Sequence, residues 1–360
     1  MANTVAATGL TVQQWDDKFF KESVRENRFK NAMGMDENSI IQIKEDLTKK
    51  KGDSVTFALV NRLAGAGVTG SAVLEGNEED LSSRSFRLYV DKLRHAVRVA
   101  EMEDQKSAID LREAGRAMLK TWIMEKTRDD IITALASING TAYGSASEAN
   151  KDAWLVDNAD RVLFGAARSN NSANDHSSSL ANIDNTADKL TPQAISLMRR
   201  IALTVAAPKI RPIRVADDRQ FFIMYTNSLA MRDLRVNTTM AIANQYAMER
   251  GKDNPLFTSG DLIWEDVIIK EIEDIDILTG VGAGSIDVGP AYLCGAQAVG
   301  LAWAKRTTSV TEEFDYGDKF GVAIEEIRGI KKILFGSGAG DTDDLKDNGI
   351  VTGFFAAVAD

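Results

Sequence analysis

The chain has 360 residues, 44% of them hydrophobic and 27% charged, enough to bury a sizeable core without a disulfide or metal staple. Its 43 Lys and Arg stand against 53 Asp and Glu, a net charge of -10, which argues against a nucleic-acid binder that works by phosphate neutralisation. The single cysteine, Cys294, excludes an internal disulfide, and no apolar run approaches the length of a membrane span.

The N-terminus lacks the basic and apolar regions of a secretory signal, so the expected compartment is a reducing cytoplasm. Residues 11–32 carry Trp15, Phe19, Phe20, Val24 and Phe29 among charged residues. The spacing of Trp15, Phe19 and Phe20 predicts a short helix with one apolar face. That face docks either on its own core or on a neighbouring chain. Val55, Phe57 and Leu59 then alternate with smaller residues, as do Phe86, Leu88 and Val90, which predicts two strands. About two dozen residues without helical period separate them, and a connection of that length is usually functional or mobile.

This connection contains Gly65-Ala66-Gly67-Val68-Thr69-Gly70, a match to the glycine signature of dinucleotide-binding enzymes. The signature works only where a helix opens after it to hold the pyrophosphate. The sequence that follows, SAVLEGNEEDL, has no amphipathic period, so the nucleotide reading fails and the glycines are read as a flexible arm tip. Glu78 and Glu79 are adjacent, and in an extended chain they face opposite sides, which suits no acid/base pair.

An apolar stripe from Met102 to about Ile138 predicts one long helix, roughly 50 Å at 1.5 Å per residue. Residues 139–190 are rich in Ser, Asn and Ala and read as surface loops, partly mobile, around an apolar stretch at 153–163. Thr191-Pro192 opens another helix. A strand at 221–225, a helical region from Asn227 to Met248, a strand near 267–272 and a helix over 291–304 are predicted next. Strand-like runs close the chain near 321–324, 330–335 and 350–355. Mixed elements without strict alternation predict an α+β fold.

No catalytic, cofactor-binding or metal site assembles from these residues. His95 and His176 are distant in sequence, and one cysteine with two such histidines supplies no zinc set. Asp341 to Gly349, DTDDLKDNG, misplaces the glycine and closing Glu of a calcium loop and reads as an acidic surface turn. Arg199, Arg200, Lys209, Arg211 and Arg214 form a basic cluster that is either solvated surface or a partner site. What remains is architectural. Projecting arms bury little within their own subunit and gain from neighbouring copies, so a self-assembling structural protein is expected, not an enzyme.

The order GDSVTF, LAGAGVTGSAVLEGNEEDL, LRHAV and DLREAGRAMLKTW, followed by RVLFGA, RGKDNPLFTSGDLIWEDV and FDYGDKFGVAIEEIRGIKKILF, resembles the phage N-four-type major capsid proteins over about Gln14 to Phe355. The resemblance implies the Hong Kong ninety-seven phage capsid fold. Residues 1–45 would be the N-terminal arm, 46–97 the extended loop, and 98–195 the peripheral domain with its spine helix. Residues 196–319 would be the axial domain, and 320–360 strands returning to the peripheral sheet. It also implies hexamers and pentamers of this chain closing an icosahedral shell around double-stranded DNA, in a virion built in the bacterial host cytoplasm. A nanocompartment shell of the encapsulin type is the alternative. Trp15, Phe19, Phe20, Gly65, Gly67, Gly70, Leu74, Glu78 and Glu79 are the expected intersubunit contacts. The expected partners are other copies, a separate scaffolding protein, a portal, a cement or decoration protein, and DNA held without sequence-specific binding. No membrane, cofactor or cleaved scaffolding segment is expected.

Overall fold

A computed structural model describes residues 27–48, 52–63, 65–71, 73–107, 109–215, 219–242, 262–338 and 340–359. In chain order the strands and helices begin with β1 (Met33–Gly34), β2 (Ile41–Lys44), β3 (Ser54–Val60), β4 (Ser83–Tyr89), β5 (Asp91–Ala100), α1 (Glu101–Lys106) and α2 (Leu111–Ala136). There follow α3 (Glu148–Asn158), β6 (Val162–Phe164), α4 (His176–Leu180), α5 (Pro192–Arg200), β7 (Ile213–Arg214), β8 (Gln220–Thr226) and α6 (Ser228–Val236). The chain continues with β9 (Leu262–Trp264), β10 (Val267–Glu271), β11 (Val288–Cys294), β12 (Val299–Phe314), β13 (Lys319–Lys332), β14 (Leu334–Ser337), β15 (Asp343–Asp347) and β16 (Ile350–Ala356). These elements divide between two bodies, and α2, β12 and β13 each give residues to both.

The first body holds Lys92–Arg128 and Lys305–Ile327. Here β13 lies between β12 and β5. Leu119, Ile123, Val322 and Ile324 form its core, with Leu93, Val97, Trp122 and Phe320 packed around them. The predicted single helix from Met102 is two. The first ends where Ser107 turns extended, and Asp110 starts the second, because its Oδ1 accepts from the Arg112 and Glu113 amides at 2.9 and 3.0 Å. Asp104 Oδ1 takes the Leu111 amide at 3.1 Å. The apolar spacing ran through this capping site unaltered, which is why periodicity alone missed it.

The second body holds Arg28–Asp91, Asp129–Ala304 and Arg328–Asp360. Its centre is a seven-stranded mixed sheet in the order β6-β16-β11-β8-β10-β9, with β7 on β8. Both faces of this sheet are buried. Phe222, Met224, Leu293, Val351 and Phe355 face a core with α5 and α6. Ile223, Tyr225, Tyr292, Cys294 and Ile350 face the other, with Phe29, Ile131 and Leu135. Phe29 packs on Tyr225 with ring centroids 4.7 Å apart, so this part of the N-terminal region docks on its own core.

A strand buried on both sides reads as an unbroken apolar run. That is the reason the helix predicted over 291–304 is wrong: these residues form the end of β11 and the start of β12. The closing run β16 lies between β6 and β11. The helix predicted from Asn227 is α6, which ends at Val236. Asn237 caps a further helical turn by accepting the Thr239 amide at 3.1 Å, and residues beyond 242 lie outside the described set until 262.

The Ser/Asn-rich stretch 139–190 is not a set of mobile loops. It contains α3, β6 and α4, and its polar side chains close turns and cap helices. Ser147 caps α3 and Asp175 caps α4. Asp188 accepts from Ala166 N at 2.7 Å, Asn170 Nδ2 at 3.0 Å and Asp184 N at 3.0 Å. Composition signals a lack of apolar surface, but this segment is held by side-chain-to-backbone hydrogen bonds instead.

Candidate assembly surface

β3 and β4 pair antiparallel from Ser54↔Tyr89 to Val60↔Ser83. The pair buries one face on its own subunit: Val55, Phe57 and Leu88 pack against Ala302, Ile333 and Phe335. Its two outer edges are each closed by a side chain from elsewhere. Lys44 Nζ donates to Thr56 O at 2.9 Å. Asp341 Oδ2 accepts from Ser85 N at 2.9 Å and Ser85 Oγ at 2.6 Å, and these bonds hold the Asp341 carboxyl below the usual carboxylate range. Such capping blunts a strand edge that would otherwise recruit another strand.

Gly329 completes the anchor, because a Cβ there would overlap the Tyr89 carbonyl oxygen. Gly329→Ala is therefore expected to cost about 1–3 kcal/mol through overpacking. Denaturant unfolding of the unassembled subunit, beside Gly144→Ala in open space, measures this. Equal stability of the two variants would rule the anchor out.

Beyond the anchored base the character reverses. Asn61 N donates to Ser82 O at 2.9 Å, and residues 62–82 then carry no strand or helix among those described. Val60, Leu63, Val73, Leu74 and Leu81 are all more than half exposed, Leu74 at 61%. The expected contact residues lie here. Gly65 donates its amide to Glu79 Oε2 at 2.6 Å, and Gly76 donates to Glu78 Oε2 at 2.7 Å. The two glutamates therefore organise the tip's backbone separately. Gly67 and Gly70 both have φ of 71°, a region where a side chain is strained, and nothing lies within 4 Å of the position a Cβ would take. Leu74 O accepts the Asn77 amide at 2.9 Å, closing a turn that leaves the leucine side chain outward. Trp15, Phe19 and Phe20 lie outside the described residues.

The other sequence candidates have ordinary structural roles. His95 stacks on Trp122 with centroids 4.5 Å apart. His176, read as part of a flexible loop, is buried among aromatic rings. The segment read as an acidic surface turn forms β15, and its Asp347 is buried against Lys332. In the basic cluster, Arg199 pairs with Asp266 at 3.0 Å and Arg211 with Glu37 at 3.6 Å. Cys294 is buried, and burial pushes its thiol pKa well up, far from a nucleophile's. Sequence reasoning missed Lys44, which lies shortly before β3, and Asp341 and Gly329, which lie far from the hairpin in the chain; none of the three carries a local signal.

An arm fixed at its root and apolar at its wet end, on an α+β body, is the form of a subunit that completes itself on neighbours. The architecture is the Hong Kong ninety-seven phage capsid fold, shared with solved phage capsid chains. Residues 3–358 match the model of the phage capsid protein family, and the chain belongs to that family. It is similar to the chain in the capsid asymmetric unit of cyanophage Pam1, at 36% identity over all of both chains and a TM-score of 0.88. The capsid chain of Ralstonia phage GP4 shares the fold at 24% identity, with 99% of each chain covered and a TM-score of 0.78. Among curated proteins, the major capsid protein of Pseudomonas phage KPP25 is 26% identical over 372 residues, covering 95% of this chain and 94% of the relative.

Proposed function

We propose that this chain is the major capsid protein of a phage and assembles with copies of itself, as hexamers and pentamers, into an icosahedral shell around the packaged DNA. The observation that carries the reading is the division within one hairpin, whose root is buried on its own subunit while its tip stays wet and apolar. Burial of such surface is the main favourable term in association, and in a closed shell each copy covers its neighbour's tip.

In this reading Gly65, Gly67, Gly70, Leu74, Glu78 and Glu79, together with Trp15, Phe19 and Phe20 of the N-terminal arm, are intersubunit contacts. The segment around β3 and β4 acts as the extended loop and α2 as the spine. The scheme of an arm at 1–45, a loop at 46–97, a peripheral domain at 98–195 with strands from 320–360, and an axial domain at 196–319 belongs to the same proposal. The role is structural and not catalytic. The net charge of -10 favours DNA spooled against the wall without sequence-specific binding. Scaffolding, portal and cement proteins are the further partners, and the host cytoplasm is the place of assembly.

The test replaces residues 62–81 with Asn-Gly, a turn that suits the two-residue connection left between Asn61 and Ser82. The variant is expected to fold, with the circular dichroism of the parent, and to give no closed shells by electron microscopy. Shells at the parent's yield would remove the tip from assembly. Failure of the parent itself to form closed particles would remove the capsid reading.

A further inference from the structure

β12 has 16 residues, yet β2 pairs with only four of them, Val299–Ala302. Beyond that point β13 is its neighbour on one side, and among the described residues nothing pairs with the other. The outer stretch Thr307–Phe314 is exposed throughout. Its sequence, TTSVTEEF, is rich in strand-forming Thr and Val and holds no Pro, Gly or Lys. Natural proteins blunt such edges, and this chain does so at β3 and β4 with Lys44 and Asp341. The outer edge of β12 carries no such cap among the described residues. It ends at a tip where Asp315, Tyr316 and Gly317 all have positive φ and where Tyr316 is fully exposed.

We infer that Thr307–Phe314 pairs antiparallel with the same edge of a second copy, joining two sheets across a local two-fold axis. The occupant follows from self-complementarity. A two-fold normal to the sheet sets residues of one face opposite each other, so the pairing centres on a residue facing its own counterpart. Centred on Val310, it sets Glu312 and Glu313 opposite Thr308 and Thr307, and Lys305 opposite Asp315. Centred on Thr311, it sets Glu312 and Glu313 opposite Val310 and Ser309, and Arg306 opposite Tyr316. In neither register do like charges meet, and in both a basic residue meets the acidic, aromatic tip. Val310 and Phe314 line a groove with Ala96, Arg98 and Gly321 on one face, with the Arg98 guanidinium 5.2 Å from the Phe314 ring. A second strand extends that groove. The inference rests on the chain being a self-assembling subunit and adds a contact separate from the hairpin tip.

The test uses Val310→Cys and Thr311→Cys, each alone in the full chain. Cys294 is buried and gives no background. Directly opposed residues in an antiparallel pair place their Cβ atoms about 4.5–5.5 Å apart, close enough for a disulfide after small adjustment. Under mild oxidation one of the two variants is expected to give about tenfold more covalent dimer than Val236→Cys, an exposed control on α6, because pairing raises the local thiol concentration. Adding Thr311→Pro to Val310→Cys, or Ser309→Pro to Thr311→Cys, removes a strand donor and should return the dimer to the control level. Dimer no higher than the control in both cysteine variants, or dimer unaffected by proline, overturns the inference. Cross-linking is scored in shells and in free subunit alike, so its failure in intact shells rejects the edge contact and leaves the capsid reading standing.

Discussion

Lys332→Met is expected to destabilise the unassembled subunit by about 3–5 kcal/mol, the range for stripping one partner from a buried ion pair. Lys332 and Asp347 are both almost wholly buried, with Nζ 2.7 Å from Oδ2. Trp154 Nε1 donates to the same oxygen at 3.1 Å. The Asp347 backbone is held as well: its amide donates to Asn158 Oδ1 at 2.9 Å, and its carbonyl accepts from Arg161 Nη1 at 2.6 Å. Removing the ammonium leaves a carboxylate in a low-dielectric site with one indole donor. Its remaining choices are protonation or local opening, and both cost stability.

The double variant Lys332→Met/Asp347→Leu separates the charge from the packing. It is expected to recover part of the loss, because an apolar pair needs no desolvation, while the Trp154 indole N–H is left without its acceptor. Denaturant unfolding of the four chains in the cycle gives the coupling directly. A single variant within about 1 kcal/mol of the parent would mean that the pair is solvated and unimportant, as surface pairs are.

This pair also marks the limit of what the sequence discloses. Lys332 ends β13 and Asp347 ends β15, and nothing near either residue announces a partner. The acidic run DTDDLKDNG looked like surface because charge density is the only local signal. The fold then buries one of its four aspartates. Strands β3, β4, β8 and β10 were legible because they alternate or stand between turn residues. The break between α1 and α2 was written in Asp110 but masked by a continuous apolar stripe. For the hairpin, GAGVTG and the absence of a following helix were enough to mark the connection between β3 and β4. The anchors Lys44, Asp341 and Gly329 were not legible, since each acts only through tertiary contact. The order of many short motifs carried the family, where no single motif did.

Acidification is expected to weaken the subunit through His176 before most carboxylates titrate. The ring is buried among Tyr143, Trp154, Phe164 and Phe354, with centroids 5.6–6.3 Å away. Nε2 lies 3.4 Å from the Tyr143 hydroxyl, and Nδ1 lies 3.7 Å from Glu148 Oε1. Burial pushes the pKa down from 6.5 to about 4, and nearby Lys151 pushes the same way, while Glu148, Asp152 and Asp175 oppose the shift. Because the folded pKa lies below the unfolded value, the unfolded chain binds the extra proton between those two pH values. Stability is therefore whole above about pH 6.5 and falls as pH drops towards 4. The loss between pH 7 and pH 5 is about 2 kcal/mol for this one group. His176→Gln lacks the titration, so its unfolding free energy should fall by that much less over the same interval, whatever its starting stability. Parallel pH profiles for the two proteins would mean that the imidazole takes up its proton as easily in the folded chain as in the unfolded one.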